Sequence, residues 1–517
     1  MASKLARASG VMAALLLVSK GAGFLRESVV AGAYGAGLVK DANTVAYILP
    51  ALFLIMLGGL NGPFHLATMG AVTRLETRGE RDQVPGVLLT ILLGTALLTG
   101  LFAALVFALA PWVITVTGPS LSSEAHDLAV VQLRIMAPLI MIGGLVGALC
   151  GVSNVRGKFA NSSLSPMVSS LAVIGLVFLT SSPLAIAWGT LAGAVGQLLL
   201  QAWPVVRDWK EIAQGAPLRP APLTHPGFVD MLRMLVPAAL SSSVGSINVA
   251  IGTAFCSKVG SGAISVFNYS NLLIQLPLGI MLTALLVPMF PRLTEAAAAG
   301  DRDGLHGWLN KGLQTIVLTT LPMTGLLIVL GESAVRLAFE RGAFTAQDTA
   351  ATATVLAIVA LSIVAYATRD LFTRVFYAQN KSRVPLMVTI ASIGTNFLLN
   401  SYFVRYGLKG LALSTTLVTV LNMLILGLLL RRDLGKLGLS PTAPTALKAL
   451  VAALAATALT GVARWWLPGE GQFGALLQLV ILGALGLGTY AGLLVVLRVP
   501  LLAALGRRRP AVASKSP

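Results

Sequence analysis

Apolar runs of about twenty residues recur from one end of this 517-residue chain to the other, and that is the length of helix a bilayer core of ~30 Å requires. Because every backbone polar group in lipid must be satisfied internally, such a chain folds as spanning helices. The runs are continuous rather than alternating, which selects helices. Composition agrees: 56% of residues are hydrophobic and 11% charged, against about 25% charged in a soluble domain. The expected fold is an all-α polytopic membrane protein of fourteen transmembrane helices, starting near residues 9, 43, 84, 127, 163, 184, 229, 263, 309, 348, 384, 409, 444 and 472. The opening "MASKLARASGVMAALLLVSK" begins like a signal peptide but has no small-residue cleavage site, so it reads as a retained first helix. Cys150 and Cys256 have neither metal nor disulfide spacing and read as packing residues. No phosphate-binding loop, paired metal spacing or nucleophile elbow occurs. The expectation is a transporter rather than an enzyme, with no cofactor.

A net charge of +18 is explained by topology rather than by a nucleic-acid partner. With the N-terminus cytoplasmic, most of the 37 Lys and Arg fall in cytoplasmic connections such as "TRLETRGERDQ", "NVRGKFANSS", "QNKSR" and "RRDLGKLG" and in the tail "GRRRPAVASKSP". The positive-inside rule therefore places both termini in the cytoplasm. The longest connection carries Pro217, Pro220, Pro222 and Pro226 and reads as a linker. An internal repeat supports a division there. "TRLETRGERD" matches "PRLTEAAAAGDRD", pairing Arg74 with Arg292, and "VSNVRGKFANSSLSPMVSSLAVIG" matches "VFYAQNKSRVPLMVTIASIG", pairing Pro166 with Pro385, at offsets of 218 and 219 residues. The expected organisation is a six-helix half over 1–210, a Pro-rich linker over 211–228, a second six-helix half over 229–435, and two further helices with a basic tail over 436–517. Parallel repeats of this kind usually enclose a substrate path and work by alternating access. The drive is then an ion gradient, the membrane potential or the substrate gradient.

Charges inside the apolar runs nominate the site. "LLLVSKGAGFLRESVVAGAYG" places Lys20, Arg26 and Glu27 in the first span, where a mid-span charge costs ~2.5–3.5 kcal/mol even on the lenient insertion scale. Lys20 and Glu27, seven apart, share a helix face, with Arg26 displaced by one residue. Such a face lines a polar cavity, or pairs with neighbouring helices. The second span adds Asp41 near its entry and an interruption at Gly58-Gly59 to Pro63 that carries Asn61 and His65. His65 reads as a satisfied buried histidine or a proton carrier. In the eighth span Asn268, Asn271 and Gln275 share a face, as cavity lining or interhelical glue. Arg369, Asp370 and Arg374 form either a local ion-pair network or a gate, and Asn396, Asn400 and Thr416 either a weak cation site or glue.

Several of these stretches resemble one family. "SKGAGFLRESVVAGAYGAGLVKDANTVAYILP", "ALLVPMFPRLTEA", "LAFERGAFTAQDT" and "RVFYAQNKSRVP", in that order, are similar to motifs of the MurJ/MviN lipid II flippases of the multidrug/oligosaccharidyl-lipid/polysaccharide exporter superfamily, and the resemblance covers roughly residues 5 to 435. It implies that Lys20, Arg26, Glu27 and Asp41 stand at positions the family uses in a cationic cavity for the diphosphate and sugar of an undecaprenyl-linked saccharide, lipid II. It also implies an inner-membrane location and a role in peptidoglycan synthesis, with membrane lipids and cell-wall synthesis proteins as partners. The chain departs from the family where arginines usually follow the "LP" of span two, and where Leu272, Gln275, Gly252 and Asn400 replace charged residues. The "LLGGLNGPFH" form resembles cyanobacterial members. The expected function is lipid II transfer from inner to outer leaflet, driven by membrane potential or by a coupling ion, Na+ or H+. The alternatives are a cation-coupled exporter of the same superfamily and a non-transporting envelope-synthesis scaffold.

Overall fold

The first apolar run folds as α1 (Ala2–Tyr34) and stops at Gly35, whose φ of +64° is left-handed and favours glycine. The computed structural model describes residues 2–57, 63–213, 219–435 and 437–499. α2 (Leu38–Leu57) and α3 (Pro63–Thr77) follow, on either side of the expected interruption. The interruption itself, with Asn61, lies outside the described residues. α4 (Val84–Ala108) takes Pro85 in its first turn, where a missing N–H costs nothing, and is followed by α5 (Ala110–Thr117). α6 (Ser123–Met136) is capped by Ser122, whose hydroxyl accepts from Ala125 N at 3.3 Å. α7 (Leu139–Val155), α8 (Phe159–Leu179), α9 (Ala185–Arg207), the short α10 (Trp209–Ala213) and α11 (Pro226–Cys256) follow. Next come α12 (Ala263–Ala298) and α13 (Arg302–Phe339), the latter capped by Asp301, which accepts from Gly304 N at 2.8 Å. α14 (Ala346–Ala360) and α15 (Ile363–Ala378) are bent by 46° at their junction. α16 (Arg383–Phe403), α17 (Gly407–Leu434), α18 (Thr442–Arg464), α19 (Gly471–Leu477) and α20 (Gly483–Val496) complete the order, with no strand among the described residues.

The chain is all-α, and each expected span start falls at or within a helix. Among the described residues, eight helical segments are long and apolar enough to cross a membrane, or nine if the bent α14–α15 pair is one span; one of these segments, Arg383–Leu434, contains both α16 and α17.

Contacts divide the chain into two compact units, Met1–Ser265 with Arg341–Thr345, and Val266–Glu340 with Ala346–Pro517. The first unit therefore includes α11, which packs on α2 and α3. Its centre is α7, buried along nearly its whole length and packed against α2, α3, α4 and α9. Gly151 permits the approach of α3, since a Cβ there would lie 2.7 Å from the His65 carbonyl oxygen. α1 rests on α8 through Val30, Val173 and Val177, with Ile186 of α9 alongside. At Gly193 a Cβ would lie 2.5 Å from the Ser169 Cα, the close small-residue contact that holds membrane helices together without a hydrophobic drive. The Arg341–Thr345 segment is fixed to α1 by Ala343 N, which donates to Gly32 O at 2.8 Å.

In the second unit α13 is the spine, packed by α14, α15 and α18. α18 presents Ala449, Ala452, Ala453 and Ala456, a run at helical spacing, to a cluster completed by Tyr490 and Leu494 of α20. Tyr490 closes it by donating its hydroxyl to Leu318 O at 2.8 Å. The outward faces carry large apolar side chains such as Leu97 and Phe178 in the first unit and Leu428 and Val462 in the second. In a chain with these spans, such faces are the ones left for lipid.

Candidate functional site

The turn after α1 decides the site. Gly35 to Gly37 reverse the chain, and α2 then carries Lys40 back onto Glu27 of α1. Arg26 Nε and Nη2 donate to Glu27 Oε1 at 3.1 and 2.7 Å, and Lys40 Nζ donates to Glu27 Oε2 at 2.8 Å. The side chains are 28% (Arg26), 12% (Glu27) and 7% (Lys40) exposed, so the cluster holds two cations and one anion in a largely dry place. Burial is tolerable because the acid satisfies both cations with short charge-assisted hydrogen bonds. The surplus is positive. Arg26 Nη1 has no partner among the described residues. Lys20, two turns earlier on α1, is exposed and makes no ion pair among them. An anion reaching this face meets an unpartnered ammonium and a guanidinium edge. Sequence reading missed Lys40, because a charge at the mouth of an apolar run normally sits at the interface.

Asp41, the next residue, faces elsewhere. It is buried, and its carboxylate accepts from Gly262 N at 2.6 Å and from Ser265 N and Oγ at 2.8 and 2.5 Å. It thus serves the free N–H groups at the start of α12, where a negative charge also meets the helix dipole. His65 is buried beside Asn154 of α7, at 2.8 Å, and Asn154 accepts from Ser162 Oγ of α8 at 3.1 Å. Cys150 donates to the same hydroxyl at 2.9 Å. This neutral network joins α3, α7 and α8.

The remaining nominated residues do not converge in this way. Asn271 donates to Phe267 O of its own helix at 3.1 Å, Asn268 is half-buried and Gln275 exposed. Arg374 pairs with Asp370 one turn away at 3.0 Å, while Arg369 lies over the Tyr366 ring at 4.4 Å. Asn400 donates to Asn396 at 2.7 Å within α16. Thr416 bonds instead to Ile358 O of α14 at 3.0 Å.

Two sets of ions were not foreseen. In the second unit Glu332 accepts from Arg336 at 3.0 Å and from Arg464 at 2.6 Å, and Arg336 also donates to Glu340 at 3.2 Å. Gly469 O and Val329 O take further arginine donors at 2.6 and 2.7 Å. This lattice ties α18 and the α18–α19 connection to α13. The other set repeats across the units: Lys158 pairs with Asp208, and Lys381 with Asp433. Each lysine follows a left-handed residue, Gly157 at φ +74° or Asn380 at φ +60°, that ends one helix and turns its side chain to the end of another. The Lys158 ammonium, with Arg207, holds the Asp208 carboxyl below the usual carboxylate range. A cleft of about 320 Å³ opens there between Arg81, Arg156, Lys158, Glu76 and Glu211.

Long packed helices in two units, with buried ions confined to a few helix faces, define a multi-pass membrane transporter fold. An inward-facing multidrug resistance MATE family transporter of the MOP superfamily aligns with 80% of this chain and 94% of its own, at 15% identity and TM-score 0.67. A lipid II flippase MurJ in an inward closed conformation aligns more completely, with 96% of this chain and 100% of its own, at 21% identity and TM-score 0.76. The chain belongs to the lipid II flippase MurJ family, whose model matches residues 30–482. A probable lipid II flippase MurJ from Synechocystis sp. is 34% identical over 452 residues, 84% of this chain and 83% of the relative, in keeping with the cyanobacterial form of the second span.

Proposed function

We propose that this protein transfers lipid II from the inner to the outer leaflet of the bacterial inner membrane, supplying peptidoglycan synthesis. The observation that carries the reading is the positive cluster of Arg26, Glu27 and Lys40 beside the open Lys20, in a chain whose family and close relatives are lipid II flippases. In this reading fourteen helices span the bilayer with both termini cytoplasmic, and two six-helix halves alternate access to the polar face of α1 while the polyprenyl tail stays in lipid. Lys20 and Arg26 bind the diphosphate by charge-assisted hydrogen bonds. An inside-negative potential supplies ~2.3 kcal/mol per charge per 100 mV, so a headgroup of charge about −2 gains roughly 4–5 kcal/mol on moving outward. No coupling ion is then required. A surplus of positive charge also disfavours export of cationic drugs, for which an acidic cavity would serve.

The test is genetic complementation. In cells depleted of their own lipid II flippase, the wild-type chain restores growth, and Arg26→Ala and Lys20→Ala at equal protein levels do not. Growth supported by both variants would remove the assignment of these roles.

A further inference from the structure

Glu27 does not need two cations. Arg26 alone gives Oε1 two donors, at 3.1 and 2.7 Å, yet Lys40 is also brought to Oε2 at 2.8 Å with 7% of its side chain exposed. An ammonium desolvated to that degree is costly, and a purely structural ion pair would have been complete without it. The second cation changes two things. It occupies Oε2 of Glu27, so that the acid is tied to α2 as well as to Arg26, and Arg26 keeps Nη1 for another acceptor. It also sets the charge of the face: with the Asp41 carboxylate taken up by the Gly262 and Ser265 donors, Lys20, Arg26 and Lys40 against Glu27 leave a surplus of two positive charges, equal to the roughly two negative charges of a diphosphate diester. Without Lys40 the surplus falls to one.

We propose that Lys40 is a positioning and specificity-determining residue of this site, which restrains Glu27 and brings the α1–α2 face to the charge of a lipid-linked diphosphate. The proposal rests on the reading that such a diphosphate binds here.

The full chain in nanodiscs is titrated with lipid II, an undecaprenyl-diphosphate diester, and the thermal midpoint of each variant is recorded alongside. Lys40→Met weakens binding about tenfold, as the positive surplus falls and Glu27 is released toward Arg26, and Lys40→Arg restores it to within about threefold. Glu27→Gln binds more tightly than wild type. The double variant Lys40→Met/Glu27→Gln has the original surplus and returns to near wild-type affinity, and having no stranded acid it also guards against a Lys40→Met chain that does not fold. Equal affinity of folded Lys40→Met and wild type overturns the role of Lys40 alone. So does a double variant that remains as weak as Lys40→Met. A folded wild-type chain that binds no diphosphate overturns the substrate reading itself.

Discussion

Two clusters of partly buried charge, one in each unit, solve the same desolvation problem in opposite ways. In the second unit Glu332, Arg336, Glu340 and Arg464 form a neutral set, and backbone carbonyls at Gly469 and Val329 absorb further arginine donors. In the first unit Arg26 and Lys40 share the single acid Glu27, and Lys20 has no partner among the described residues. A neutral, saturated set has nothing left to offer a ligand and serves to hold α18 on α13. A set with surplus charge costs stability and keeps donors for an anion. Charge balance, more than burial, separates the structural cluster from the one proposed to bind an anion.

The sharpest way to break this contrast is to exchange the consequences. Arg26→Ala removes the guanidinium proposed to bind the diphosphate, so flippase-depleted cells expressing it fail to grow while the melting temperature changes little. A chain that loses folding and function together would place Arg26 with the structural set. Glu332→Ala does the reverse: it strands Arg464 and half of Arg336. Breaking a fully buried pair costs 3–5 kcal/mol; with Glu332 37% exposed the expected loss is about 1–3 kcal/mol. It is read as a lowered thermal midpoint in detergent, with complementation following the amount of folded protein. An Arg464→Met/Glu332→Met pair of changes, which removes both charges, recovers part of that loss.

The same contrast explains what could be read from the sequence. Apolar runs and the charges of α1 are local patterns, and they appear in the structure as helices and an ion cluster on α1. The lattice on α13 had a local signal that was passed over: Glu332, Arg336 and Glu340 are spaced by four, the interval that brings side chains together on a helix. Lys40 had none. Its pairing with Glu27 spans thirteen residues and a reversal of the chain at Gly35, and no periodicity encodes that. Asp41 was legible as a buried acid, but not as the acceptor for the first N–H groups of α12. Its partner lies more than two hundred residues away.

A smaller effect tests how the second unit holds α20. Tyr490 is buried in an otherwise apolar cluster, and its hydroxyl finds one acceptor, Leu318 O. Tyr490→Phe keeps the ring and leaves that carbonyl unserved by the side chain. The cost is about 1 kcal/mol, seen as a small drop in thermal midpoint with complementation unchanged.

The repeated lysine–aspartate pairs offer the mildest test, since they lie at helix ends and are open to solvent screening. Hydrogen bonds from Lys158, and then from Arg207, lower the affinity of Asp208 for a proton in the folded chain relative to the unfolded one. Its contribution to stability is therefore fully present above the ordinary carboxylate range near about 4, and it is lost as pH falls through the lowered value. Asp208→Asn removes that dependence. The thermal midpoints of wild type and variant, measured from neutral pH downward, should differ slightly at neutrality and converge at acid pH. Curves that stay parallel would mean that the Lys158 pair adds nothing to the fold, leaving Gly157 and the packing of α7 on α9 to hold that helix end.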